Sequence, residues 1–154
     1  LVGCQEPPKP KYVVDFVDRN LNVLASLEVE EGASVSAYPE VKVEEGYYYQ
    51  WNMTLEELSN ITSDLMVEGV KKEYYKNIKY FIDDELFYEF TGVYTKKYTV
   101  PALSSVYENT SWEEQKNELV GDKYFIEYKL NYTLKQIYEL RYYDGNEKLN
   151  LCSY

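Results

Sequence analysis

Apolar and polar residues alternate near the start of the chain. Every second residue from Tyr12 to Phe16 is apolar, and Asp15 lies among them on the opposite side. A period of two residues is typical of a half-buried β-strand. The Asp and Asn residues at positions 18–21 favour a turn, and residues 22–29 then predict the returning strand. The pattern therefore predicts a β-hairpin.

The segment after this hairpin shows no sustained helical periodicity. It predicts an extended crossing segment with short strands, a strand that ends on a tryptophan, one helical turn and a closing strand, at residues 33–50, 47–51, 53–60 and 65–70. For the helical turn, Thr54 is the predicted N-cap, and Glu57 follows three residues later as in a capping box. The first block is therefore predicted to be mainly β, with little helix.

A looser copy of the block starts near Ile78. Residues 83–85 predict the turn of a second hairpin, residues 86–90 the return, and Trp112 takes the place of Trp51. The predicted cores are Phe16, Trp51 and Val67 in the first copy, and Trp112 and Ile126 in the second.

The period of the repeat can be read from three aromatic residues. Phe16, Phe81 and Tyr142 each lie two residues before an aspartate, at intervals of 65 and 61 residues. Recurrence at a fixed spacing indicates a tandem array. Matching Phe81 to Phe16 turns Lys79 inward, and because a slip of one residue reverses every side chain, a second register is open. That register places three other residues inside: Ile78, Tyr80 and Ile82.

The last segment contains the clearest hairpin of the chain. Residues 138–151 hold two strand-like runs around Asp144 and Gly145, and an Asp-Gly pair suits a tight turn. A lone hairpin is marginal in water, so it should pack on the second copy or open an incomplete third repeat. The predicted organisation is a tether, two small β modules and this hairpin, at residues 1–11, 12–76, 77–136 and 137–154.

Composition adds an acidic character. The chain of 154 residues has a formal net charge of −11 and no histidine. This charge argues against nucleic acid, because phosphate binding requires clustered Lys and Arg. Tyrosine outnumbers phenylalanine, 19 to 5, which suggests strand faces that are half exposed to water.

The first four residues, Leu1-Val2-Gly3-Cys4, are similar to a bacterial lipobox, the end of a lipoprotein signal peptide. In that motif the sulfur of the cysteine, here Cys4, receives the lipid. A polar, proline-rich tether follows at residues 5–11. We therefore expect lipidation at Cys4 and an anchored position on the extracellular face of a bacterial membrane. The alternative is an ordinary cysteine, for which a disulfide with Cys152 is possible but not favoured, since both lie in terminal segments.

The first block resembles the Listeria–Bacteroides repeat, the B repeat of the internalins. The residues that carry the resemblance lie in residues 12–18, in residues 61–67 and at five single positions: Val29, Gly32, Pro39, Gly46-Tyr47 and Trp51. It covers residues 12–75 well and 77–133 poorly. The resemblance implies a β-grasp, ubiquitin-like module that occurs in tandem on bacterial surface proteins, with an adhesive, ligand-presenting or spacer role and no catalysis.

The residues offer little support for catalysis. The absence of histidine excludes Ser-His-Asp and Cys-His mechanisms and His-ligated zinc. Two acidic runs, at residues 28–31 and 83–85, were weighed as calcium ligands, but neither has the spacing of a calcium loop, and solvated turns are favoured. We expect no catalytic residue, no metal and no cofactor. A small carboxylate-based hydrolase is a remote alternative.

Tyrosines on strand faces are the candidate contacts for a ligand. Tyrosine is common where proteins bind sugars or other proteins. The alternative is that tyrosine simply replaces other residues on ordinary strand faces. The candidates are Tyr47, Tyr48, Tyr49, Tyr142 and Tyr143. The expected partner is a protein or a glycan, with the membrane contacted through the lipid alone, and a purely structural spacer is the alternative function.

Overall fold

The chain is all-β in a computed structural model that describes Gly3 and residues 5–136, 138–141 and 150–153. Among these residues there are ten strands and no helix, which confirms the predicted fold class. The strands are β1 Lys11–Val17, β2 Val23–Glu30, β3 Tyr47–Trp51, β4 Leu65–Glu73, β5 Tyr75–Ile82, β6 Glu85–Val93, β7 Tyr107–Val120, β8 Lys123–Leu134, β9 Tyr138–Arg141 and β10 Asn150–Ser153. The chain divides into two compact units, Leu1–Tyr74 and Tyr75–Tyr154.

The first unit is built on a four-stranded sheet of order β2-β1-β4-β3. β1 pairs antiparallel with β2 and parallel with β4, and β3 pairs antiparallel with β4. The predicted first hairpin is confirmed. Its turn is held by Asp18, whose Oδ1 accepts the backbone N–H groups of Asn20 at 2.8 Å and Asn22 at 2.9 Å. Such side-chain bonds are the reason that Asp favours turns.

The core of the first unit lies on one face of this sheet. Val14, Phe16 and Val67 are completely buried, as the alternation predicts. The connection between β3 and β4 covers them with Leu58 and Ile61, which are 0% and 2% exposed. Burying side chains of this size contributes about 1.5–3 kcal/mol each. The β3–β4 connection is therefore part of the core and not a surface loop.

The predicted capping box forms within this connection. The N–H of Glu57 donates to Thr54 Oγ1 at 3.1 Å, and the N–H of Thr54 donates to Glu57 Oε2 at 3.0 Å. The N–H of Leu58 donates to the carbonyl of Thr54, which closes one helical turn. The reciprocal cap satisfies two donors that a single turn leaves free.

The short strands predicted between residues 33 and 46 are absent from the structure. This segment leaves the sheet and turns Val35 into the core. Its backbone bonds to the covering connection instead, since Val35 N–H donates to Leu58 O at 2.9 Å and Ile61 N–H to Ala33 O at 2.8 Å. A segment that is bonded across a sheet face has no neighbouring strand with which to form a ladder.

The second unit repeats the strand order of the first. Its sheet has the order β6-β5-β8-β7, with β5 antiparallel to β6 and parallel to β8, and β7 antiparallel to β8. Ile78 and Tyr80 are buried, whereas Phe81 and Ile82 are half-buried. The shifted register is therefore correct for Ile78 and Tyr80, and the match of Phe81 to Phe16 is wrong.

A β-bulge explains why the simple match fails. The pairing shifts directly after Phe16 in β1 and directly after Tyr80 in β5. Tyr80 thus occupies the position of Phe16, 64 residues further along the chain. A bulge adds one residue on one strand and changes which side chains face the core beyond it.

The two units differ most in the connection between their last two strands. In the first unit residues 52–64 join β3 to β4, whereas in the second only Gly121 and Asp122 join β7 to β8. The second unit has longer strands instead, 14 residues in β7 and 12 in β8. The second core lacks a counterpart of Leu58 and Ile61 and consists largely of aromatic rings packed around Ile78, Tyr80 and Ile126.

Two further strands follow the second sheet. β9 and β10 pair antiparallel, with Tyr138 opposite Ser153 and Arg141 opposite Asn150. The predicted turn of this hairpin, at Asp144 and Gly145, lies outside the described residues. In the described part of the chain, no helix has the length and apolar character needed to cross a membrane.

Candidate functional site

The two tryptophans serve equivalent positions in the two cores. Trp51 meets Phe16 edge-to-face with ring centroids 5.0 Å apart, and Trp112 meets Tyr80 in the same way at 5.0 Å. A tyrosine completes each set, Tyr38 at 6.4 Å from Phe16 and Tyr98 at 6.2 Å from Tyr80. The rings lie within the 4.5–7 Å range of favourable aromatic pairs. These residues therefore hold the fold and are poor candidates for ligand contact.

The Tyr80 hydroxyl is the polar exception in the second core. It hydrogen-bonds with the hydroxyl of Tyr98. Burial, and then this hydrogen bond, raises the pKa of Tyr80 well above its ordinary value. The hydroxyl therefore stays protonated at neutral pH, and its role is structural, since a buried polar group requires a partner.

The predicted contacts Tyr47, Tyr48 and Tyr49 lie on β3, an edge strand, and all three are half-buried. Their side chains alternate between the two faces of the sheet. Tyr49 stacks on Trp51 at 5.5 Å, and Tyr48 packs on Tyr74 at 4.5 Å. The three rings therefore do not form one surface.

Tyr47 is engaged by a lysine of the neighbouring strand. Lys71 Nζ lies 4.9 Å from the Tyr47 ring centroid and 3.1 Å from Glu44 Oε1. The hydrogen bond with Glu44 is the main cause that raises the pKa of Lys71. The lysine keeps its charge on the ring face that a planar ligand would otherwise approach.

Three of the predicted site residues, Cys4, Tyr142 and Tyr143, lie outside the described residues. Lipidation of Cys4 and ligand contact at the two tyrosines stay predictions.

The outer face of the second sheet is a ladder of paired charges. Lys79 lies 3.8 Å from Glu89, Lys116 lies 3.7 Å from Glu127, and Lys129 lies 3.5 Å from Glu113. The Asn131 side chain, which donates to Glu113, and then Lys129 lower the pKa of Glu113. All of these groups are open to solvent, so each pair contributes little to stability.

A groove that the sequence patterns missed lies beside the β5–β6 turn. It is an open depression of ≈ 510 Å³, and its lining residues are Ile82, Asp83, Glu85, Leu86, Phe87 and Tyr107. We call it the turn groove. Its size falls within the range of ligand sites. The two ends of its lining are far apart in the sequence, which explains why no local pattern shows it.

Tyr132 fixes one side of the turn groove. Its hydroxyl donates to Asp83 Oδ2 at 2.6 Å, and its ring meets Tyr107 edge-to-face at 4.8 Å. The hydrogen bond to Asp83 is the main cause that raises the pKa of Tyr132. On the other side, Phe87 stacks on Trp112 at 6.0 Å.

The described residues contain no group of three or more acidic, cysteine or histidine side chains placed to hold a metal ion. They also contain no buried polar or charged residue apart from tyrosine. A pair of catalytic carboxylates needs unlike environments, one of them buried, to separate the two pKa values. The part of the chain that the structure describes offers no such pair of environments.

In comparisons with known proteins, no protein-family model matches this chain, and no curated protein sequence matches it.

Proposed function

We propose that this chain is a non-catalytic lipoprotein of the bacterial cell surface, whose tandem β modules serve adhesion, ligand binding or ligand presentation. The observation that carries the proposal is the correspondence of the two units. Both sheets have the same strand order and directions, and both cores place a tryptophan edge-to-face on the same position of the first strand. Such correspondence supports a tandem repeat.

The resemblance of residues 12–75 to the Listeria–Bacteroides repeat supports the surface role. The central parallel pair of each sheet supports a β-grasp-like module. The spacing of the strands supports a third repeat, since β1, β5 and β9 begin at Lys11, Tyr75 and Tyr138, at intervals of 64 and 63 residues. On this proposal β9 and β10 are the first hairpin of that repeat.

The anchor rests on Cys4. Each buried CH₂ contributes about 0.8 kcal/mol, so two or more acyl chains hold a protein on a membrane where one does not. The test is to express the gene with its full leader and to compare wild type with Cys4→Ser in a detergent phase separation. Wild type should enter the detergent phase and Cys4→Ser the aqueous phase. Equal partition of the two into the aqueous phase would refute the anchor.

A spacer is the second candidate function, and one observation favours it. The outer face of the second sheet satisfies its own charges through internal pairs and offers few free groups to a partner. A glycan array together with a pull-down from host proteins separates the two functions. A specific partner in either assay supports binding, whereas a blank in both supports the spacer.

A further inference from the structure

The turn groove combines apolar walls with charge of a single sign. Leu86, on its floor, is 53% exposed, and the rings of Phe87 and Tyr107 line its sides. Its charged lining residues are Asp83 and Glu85, and no lysine or arginine is among them. An exposed apolar surface that is rimmed by polar groups is typical of an interaction site.

The carboxylates of the turn groove differ from the others on this sheet. Glu89, Glu113 and Glu127 each lie within 4 Å of a lysine. Among the described residues no ion pair reaches Asp83 or Glu85, and Asp83 is held only by the neutral hydroxyl of Tyr132. The groove thus carries negative charge without a counter-charge from its own unit, which is complementary to a cation.

The aromatic walls favour the same kind of ligand. The face of an aromatic ring attracts a cation within about 6 Å of its centroid. The second unit already uses this contact, because Lys76 Nζ lies 5.2 Å from the ring centroid of Tyr98, 5.4 Å from that of Tyr94 and 5.7 Å from that of Phe90. A cationic side chain in the turn groove would meet a ring and a carboxylate together.

The corresponding turn of the first unit lacks this arrangement. There Asp18 accepts hydrogen bonds from Asn20 and Asn22, and Arg19 supplies a positive charge within the turn itself. The feature therefore belongs to the second unit alone and does not follow from the shared fold.

We propose that the turn groove binds a lysine or arginine side chain of a partner protein. This inference rests on the proposed binding function and names the chemistry of its partner. The ammonium or guanidinium group would pair with Glu85 and Asp83, and its apolar stem would lie along Leu86 and Phe87. Long basic side chains bind in this way because they combine an apolar stem with a charged head.

The test is an NMR titration of the full chain with a short, end-blocked lysine–glycine peptide at low salt. Chemical-shift changes should concentrate at residues 82–87 and at Tyr107. Glu85→Gln, which keeps the shape of the side chain, should weaken binding about three- to fivefold, and Phe87→Leu should do the same by removing a ring. Glu40→Gln, in the first unit, is the control because it changes the net charge equally.

The outcomes separate the proposal from its alternatives. Equal weakening by Glu85→Gln and Glu40→Gln would mean diffuse attraction to an acidic protein and would overturn the site. Shifts at the groove with maltohexaose, in the absence of any with the peptide, would assign it to a glycan and would also overturn the proposal. The titration uses no membrane, so its failure leaves the phase-separation test of the lipoprotein proposal unaffected.

Discussion

Replacement of Gly69 by alanine tests how closely the first core is packed. Gly69 lies in β4 directly opposite Trp51 of β3. A methyl group on Gly69 would lie 2.6 Å from Cζ3 and 2.7 Å from Cε3 of Trp51, and 3.1 Å from Cδ1 of Tyr49. The indole cannot easily move, because it stacks on Tyr49 and meets Phe16 at 5.0 Å.

The expected effect is the difference between two opposing terms. Overpacking of a core costs about 1–3 kcal/mol. Alanine offsets part of this, because it loses about 0.5–1 kcal/mol less than glycine in backbone entropy on folding. Gly69→Ala should therefore lower the free energy of unfolding of the first unit by about 1–2 kcal/mol. At about 4–8 °C per kcal/mol, the melting temperature of a unit this small should fall by about 4–16 °C.

Urea unfolding of the full chain, followed by NMR signals of each unit, measures this loss directly. Gly92→Ala is the control, since its methyl group would meet the end of the Phe90 ring at 2.8 Å and the flexible Lys96 side chain at 3.5 Å. We expect Gly92→Ala to change the stability of the second unit by less than about 1 kcal/mol. In a Trp51→Phe background the cost of Gly69→Ala should shrink, because the smaller ring leaves room. An unchanged cost there would refute the packing explanation.

Three further predictions concern single residues. Asp84 has a φ of 67°, in the left-handed region that costs non-glycine residues about 1–2 kcal/mol, so Asp84→Gly should raise the thermal midpoint of the second unit, and a lower midpoint would contradict this. Thr54→Ala should cost the first unit about 1 kcal/mol in urea unfolding through loss of its cap, whereas Thr54→Ser should retain it; equal losses would exclude the cap as the cause. The hydrogen bonds that Asp18 accepts, first from Asn22, lower its pKa below 3.8 in the folded state, so its contribution to stability should be present above about pH 4 and be lost as the pH falls through the folded pKa. Wild type and Asp18→Asn, compared by urea unfolding between neutral pH and pH 3, should therefore converge at the acidic end; a constant difference would argue against this linkage.

The sequence predicts the features that depend on neighbouring residues. The first hairpin, its Asp18 turn and the capping box of Thr54 and Glu57 each arise from groups within a few positions of one another, so a local pattern contains the information. The alternation between Tyr12 and Phe16 likewise identifies the buried face of β1 correctly.

Features that depend on distant residues are not visible in the same way. The register of β5 follows from a bulge after Tyr80, and an alternating pattern carries no direct mark of an inserted residue. The long strand β7 is polar on both faces over much of its length because it lies at the sheet edge. The turn groove depends on Tyr132 meeting Asp83 across a sequence separation of 49 residues. The candidate contacts at positions 47–49 illustrate the converse, since their sequence does not show that two of the rings pack on Trp51 and Tyr74.

The parallel pairing of the first and last strands in each unit has a mechanical consequence. In the first unit β1 lies beside β4 with Val14 opposite Leu65, and in the second β5 lies beside β8 with Ile78 opposite Ile126. Tension along the chain pulls on the start of one strand and the end of its parallel neighbour, so the ladder between them is loaded in shear and its bonds share the force. An antiparallel terminal pair would instead open one bond at a time. Single-molecule pulling should therefore show two separate rupture events per chain, one for each unit, and gradual extension at low force would contradict this mechanical role of the strand order.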